Sequence, residues 1–260
     1  MDRSSALIGE LFQGSDYPEV NPCPVDGLYP DYEKTFHGLL GDEDFPTLLS
    51  RMRSRNVLDI FGGGYFLKNS SFDSMTAVRL VNLDHTLVEK LKTAVIPDQT
   101  MKIETLEDLM HNPSRVILGT NIWDDTAWEL IRTRAKSLGI NGFDLIVCRP
   151  EGPLRWYRFN TRYSNSDQCA VYTRLFLNMA SLLGPNGQLY AQFPVPNPFM
   201  DIDPNYSIVK GILDQRADFV IDPTNSTVRM VRHDDKKSFG DFSCLPLESL
   251  SNTYASARPK

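Results

Sequence analysis

The chain has 260 residues, of which 41% are hydrophobic and 23% charged, and this excludes a wholly disordered, collagen-like or coiled-coil protein. No apolar run approaches the ~20 residues of a membrane helix, and no apolar segment follows the first residues, so neither a membrane span nor a secretory signal is expected. The net charge is −6 without any basic block, which disfavours tight nucleic-acid binding.

An acidic, proline-rich N-terminal arm is predicted over residues 1–45. Residues 14–50 carry eight acidic side chains against Lys34 alone, a local charge of −7. Prolines disfavour long helices and central strands, so residues 14–46 are predicted to be irregular. Aromatic residues in the same stretch favour packing on the main domain over disorder. A short helix is predicted over 46–54, with Pro46 in its first turn.

From Asn56 onward, short apolar runs alternate with amphipathic stretches. The runs predict strands at 57–61, 78–83, 116–118, 143–148 and 188–193. Helices are predicted at 87–94, at 125–138 with Gly139 as C-cap, and at 165–183, where a Gly-Pro-Asn-Gly turn stops the last one. This alternation predicts a doubly wound, mainly parallel α/β sheet over residues 46–232.

The C-terminal part of that domain follows a different pattern. After a predicted helix at 206–215, two apolar runs at 218–221 and 227–232 are joined by five residues. Because this connection is too short for a helical crossover, the two runs are predicted to form an antiparallel hairpin. Residues 233–260 are polar and predict a tail.

The four cysteines lie far apart, with no C-x-x-C pair and no histidine at zinc-finger spacing. This distribution is typical of free thiols in a reducing cytoplasm, so a cytoplasmic location and no metal site are expected.

A glycine run, Gly62-Gly63-Gly64, follows the first predicted strand, and Asp84 follows the second. Glycine lets the backbone approach a ligand closely, and a carboxylate at the next strand end can accept hydrogen bonds from ribose hydroxyls. A plain tight turn is the alternative interpretation of the glycines. The dinucleotide fingerprint fails because Leu67 stands at its third glycine position, which disfavours a nicotinamide-dependent oxidoreductase.

With these features, residues 56–232 resemble the class I S-adenosylmethionine-dependent methyltransferases. The resemblance rests on five segments: the glycine-rich motif 57–64, the acidic strand end 81–84, the loop 119–124, the strand 143–150 and the helix-turn-strand segment 182–189. It implies a seven-stranded Rossmann-like methyltransferase fold and a transferase that uses S-adenosyl-L-methionine. The cofactor-binding residues it implies are Asp59, Phe61, Gly62, Gly63, Gly64, Asp84, Asn121, Ile122 and Arg149.

Two departures from the family pattern bear on the function. Phe61 and Tyr65 stand where the family loop has its first and third glycines. Arg149-Pro150-Glu151-Gly152 replaces the acceptor signature of the enzymes that methylate amino groups of nucleic-acid bases. The alternative function is therefore a non-catalytic, methyltransferase-like binding or scaffold protein.

Residues 149–163 hold four arginines against one glutamate, a charge of +3 interleaved with aromatic rings. Arginine forks carboxylates and phosphates and stacks on rings, so the segment predicts a small-molecule acceptor that is anionic or aromatic. The predicted substrate-binding residues are Glu151, Arg155, Trp156, Tyr157 and Arg158. The rival interpretation is that the acidic arm pairs with this segment. Possible general bases are Glu151, Tyr157 and His37.

Overall fold

One mixed sheet organises the part of the chain that the computed structural model describes, namely residues 29–60, 72–79, 101–102, 115–119, 122, 125–148, 174–192, 217–222 and 227–233. Its strands are β1 (Asn56–Ile60), β2 (Ser74–Arg79), β3 (Met101–Lys102), β4 (Arg115–Gly119), β5 (Phe143–Cys148), β6 (Leu183–Gln192), β7 (Ala217–Asp222) and β8 (Thr227–Arg232). The helices are α1 (Tyr29–Leu40), α2 (Phe45–Arg51), α3 (Asp125–Ser137) and α4 (174–181).

The strand order is β3-β4-β2-β1-β5-β6-β8-β7. The six strands from β3 to β6 run parallel, and β8 is antiparallel to both of its neighbours. A mainly parallel α/β sheet with a closing antiparallel hairpin is thus confirmed. The predicted number of seven strands is wrong, because the described residues alone form a sheet of eight. The additional strand, β3, has only two residues, and these form no apolar run from which a strand could be predicted.

The two central strands are buried on both faces. All residues of β1 after Asn56 are fully buried, and so are the last four residues of β5. Parallel strands covered on both sides have this composition, which is why both were recognisable in the sequence. Asp144 joins their amino ends, since its Oδ2 accepts hydrogen bonds from the Asn56 backbone N–H at 2.8 Å and from its side-chain Nδ2 at 2.9 Å.

Two strands begin several residues before their predicted starts. β2 begins at Ser74, four residues before the predicted start. The prediction missed these residues because Ser74 and Thr76 are polar, although both are buried. β6 begins at Leu183 and includes the predicted Gly-Pro-Asn-Gly turn. A Cβ at Gly187 would lie 2.7 Å from the Phe143 carbonyl oxygen, so glycine there serves a close approach of β6 to β5.

The helices combine predicted and unpredicted features. α3 agrees with the prediction within one residue, and Gly139 ends it in the left-handed conformation at φ 67°. α2 begins at Phe45, after Asp44, whose Oδ1 caps it by accepting a hydrogen bond from the Thr47 N–H at 2.7 Å. This hydrogen bond lowers the pKa of Asp44.

α1 corrects the prediction that residues 14–46 are irregular. It spans twelve residues, and Pro30 stands second in it, where the first turn needs no backbone donor. The other predicted helix-breaking prolines, at 18, 22 and 24, lie outside the described residues. Tyr32, Phe36 and Leu39 recur at helical spacing and are buried, so the helix has an apolar face turned to the sheet.

Three aromatic rings form the centre of the core under α1 and α2. Phe36, Phe45 and Tyr190 meet edge to face, with centroids 5.3–5.9 Å apart. They belong to a buried cluster that joins both helices to β1, β2, β5 and β6. The described part of the arm, residues 29–45, is therefore built into the core. The domain boundaries at 46 and 232 stay predictions.

α3 covers the opposite face of the sheet. Arg134 is fully buried, and its Nε donates to Thr76 Oγ1 on β2 at 3.4 Å. Met75 and Ala77, the neighbours of Thr76 in β2, face α1 and α2. Because side chains alternate along a strand, Thr76 faces the other side of the sheet, where α3 lies. Burial lowers the pKa of Arg134 to about 10, which leaves the guanidinium charged at neutral pH. Among the described helices, none is long and apolar enough to span a membrane.

Tyr190 makes the stability of the core sensitive to alkaline pH. Burial is the main cause that raises its pKa to about 12 from the usual 10.0; Arg229, stacked 5.9 Å from the ring centroid, lowers it, and Glu43 raises it slightly. Because the folded protein binds this proton more tightly than the unfolded chain, the contribution of Tyr190 to the free energy of unfolding is fully present below pH ~10. It is lost as the pH rises towards ~12.

We expect ionisation of the Tyr190 phenol to lower the free energy of unfolding between pH 9 and pH 11, by an amount on the order of 1 kcal/mol. Tyr190→Phe should show a correspondingly shallower decline over that range, since it keeps the ring and lacks the titrating hydroxyl. Urea unfolding at pH 9, 10 and 11 measures both proteins, and the remaining tyrosines contribute equally to each. Identical slopes would contradict the assignment.

Candidate functional site

The candidate site lies at the carboxyl ends of β1 and β5, where the strand order reverses. From β1 the chain goes outward to β2 and β4, and it returns on the other side through β5 and β6. Ile60, the last residue of β1, pairs with Val78 of β2 and Cys148 of β5. In open parallel sheets, ligands bind in the crevice at such a switch point.

Of the predicted site residues, the structure describes Asp59 and Ile122. The others lie outside the described residues: Phe61, Gly62, Gly63, Gly64, Asp84, Asn121, Arg149, Glu151, Arg155, Trp156, Tyr157 and Arg158. Phe61 directly follows β1 in the chain, and Arg149 directly follows β5. The glycine run and residues 149–163 therefore follow neighbouring strands in the sequence. Asp84 was predicted to follow its strand directly, and it stands five residues beyond the described end of β2.

Asp59 is the penultimate residue of β1 and is fully buried. Its register partners are Ala77 on β2 and Val147 on β5, so it stands in the middle of the switch point. Tyr32 of α1 donates its hydroxyl proton to Asp59 Oδ1 over 3.2 Å. The carboxylate consequently faces the side of the sheet that α1 covers.

Cys148 ends β5 beside Asp59 and is a buried free thiol. Burial raises the pKa of this thiol well above its usual value, and the negative charge of Asp59 raises it further. A neutral thiol is a poor nucleophile and a poor metal ligand, so Cys148 packs as a small apolar residue. Within the described ranges, no group of three or more His, Cys, Asp or Glu residues could hold a metal ion.

Ile122, three residues beyond β4, is 1% exposed. His37, one of the possible general bases, is exposed on α1, whose apolar face holds Tyr32 and Phe36. The position of His37 on the outer side of this helix gives no support to a role in proton transfer. Neither Glu151 nor Tyr157 is among the described residues.

Several acidic residues of the arm have partners within the arm and α2. Glu43 pairs with Arg51 at 2.5 Å, Glu33 Oε1 accepts a hydrogen bond from the Phe45 N–H at 3.2 Å, and Asp44 caps α2. These local contacts account for three of the eight acidic side chains without the basic segment 149–163. The rival interpretation, in which the arm pairs with that segment, stays a prediction.

Tyr32 is the residue at this site that the sequence interpretation missed. The apolar spacing of Tyr32, Phe36 and Leu39 was a readable helical signal, and the prolines outweighed it.

No protein-family model matches the chain, and no curated protein matches it at a significant level.

Proposed function

We propose that this protein is an S-adenosylmethionine-dependent methyltransferase with a Rossmann-like methyltransferase fold. The observation that carries the proposal is that β1 ends at the switch point of the sheet, and the glycine run Gly62-Gly63-Gly64 begins two residues after Ile60 in the sequence. The order β4-β2-β1-β5-β6 corresponds to the 3-2-1-4-5 order of doubly wound nucleotide-binding sheets. The antiparallel β8 next to β6 is what the methyltransferase resemblance implies.

The chemistry of the residues around the switch point suits this cofactor. A glycine run after β1 allows close backbone approach, and Asp84 supplies a carboxylate for ribose hydroxyls. Asn121 and Ile122 follow β4 and would meet the adenine. Asp59 is fully buried near the end of β1. A buried carboxylate at this position is compatible with a rigid strand end beside a charged ligand.

The acceptor is proposed to be a small anionic or aromatic molecule held by Arg155, Trp156, Tyr157 and Arg158, with Glu151 beside them. When bound, the cofactor supplies a methyl group activated by its sulfonium. The protein's own contribution is to align the acceptor with that methyl and to exclude water. A cytoplasmic location belongs to the same proposal and is supported by the buried free thiol of Cys148.

Isothermal titration calorimetry with S-adenosylmethionine, S-adenosylhomocysteine and NAD tests the proposal. Binding of the first two without NAD is the expected result. Binding of NAD alone would indicate an oxidoreductase, and binding of none of the three would favour the scaffold protein.

Asp84→Ala should weaken S-adenosylhomocysteine binding at least about tenfold. The variant loses hydrogen bonds to a charged acceptor, each worth roughly 1.5–3 kcal/mol, and ~1.4 kcal/mol corresponds to a factor of ten. Calorimetry gives the affinity and thermal melting verifies the fold. A folded variant with the wild-type affinity would remove Asp84 from the site.

A further inference from the structure

We draw no further inference here: the strongest candidate, the half-exposed Val220 on β7 at the edge of the sheet, carries none, because nothing in the part of the chain that the structure describes shows what covers this edge.

Discussion

Replacing Phe36 by alanine should lower the free energy of unfolding by about 3–5 kcal/mol, the range observed for buried phenylalanines. Phe36 is fully buried, and its ring is the part of α1 that meets Phe45 and Tyr190. Truncation removes two edge-to-face contacts and leaves a cavity between α1 and the sheet. Urea denaturation at neutral pH measures the loss.

Two control variants show whether the loss of stability comes from the buried volume of Phe36. Phe36→Leu fills most of the same volume and should cost less than about 1.5 kcal/mol. His37→Ala, on the exposed side of the same helix, should stay within about 0.5 kcal/mol of wild type. If Phe36→Ala cost no more than His37→Ala, α1 would not be part of the cooperative core.

Gly63→Val should abolish S-adenosylmethionine binding, a loss of at least about 100-fold in affinity, or ~2.7 kcal/mol. Gly63 is the central residue of the glycine run, where the proposed site brings the backbone nearest to the cofactor. A branched side chain there would occupy the space of the ligand. Calorimetry measures the affinity.

Gly63→Ala provides the graded comparison, because its single methyl group should weaken binding less than the valine does. Thermal melting of both variants establishes that the sheet is intact. A Gly63→Val protein that melts like wild type and binds S-adenosylmethionine at full strength would exclude the glycine run as the site.

The sequence was most informative where local composition and burial coincide. β1 and β5 are apolar runs buried on both faces, so their bounds were predicted within one residue. The hairpin of β7 and β8 was predictable because its connection is short. β2 was placed too late in the chain, because Ser74 and Thr76 are polar residues whose burial depends on tertiary contacts.

α1 is an element that the sequence interpretation failed to predict. Its helical spacing was present in the sequence, and the proline content of the whole arm outweighed it. Composition averaged over a long segment conceals a helix in which Pro30 occupies a harmless first-turn position.

The sequence predicts where the candidate site lies, and that location stays a prediction, but it does not predict the contact between Tyr32 and Asp59. A glycine run after an apolar strand indicates where a ligand would approach, and the strand order supports that position. The contact of Tyr32 with Asp59 joins residues 27 positions apart on a helix and a strand. No local pattern encodes such a pair, because it depends on how α1 lies across the sheet.

The packing of α1 against β6 also has a consequence for synthesis on the ribosome. About 150 residues separate Phe36 from its partner Tyr190. At ~5–20 residues per second, β6 is made roughly 8–30 s after α1. During this interval the aromatic face of α1 lacks one of the partners that bury it, so a nascent chain arrested before β6 would leave part of that face exposed.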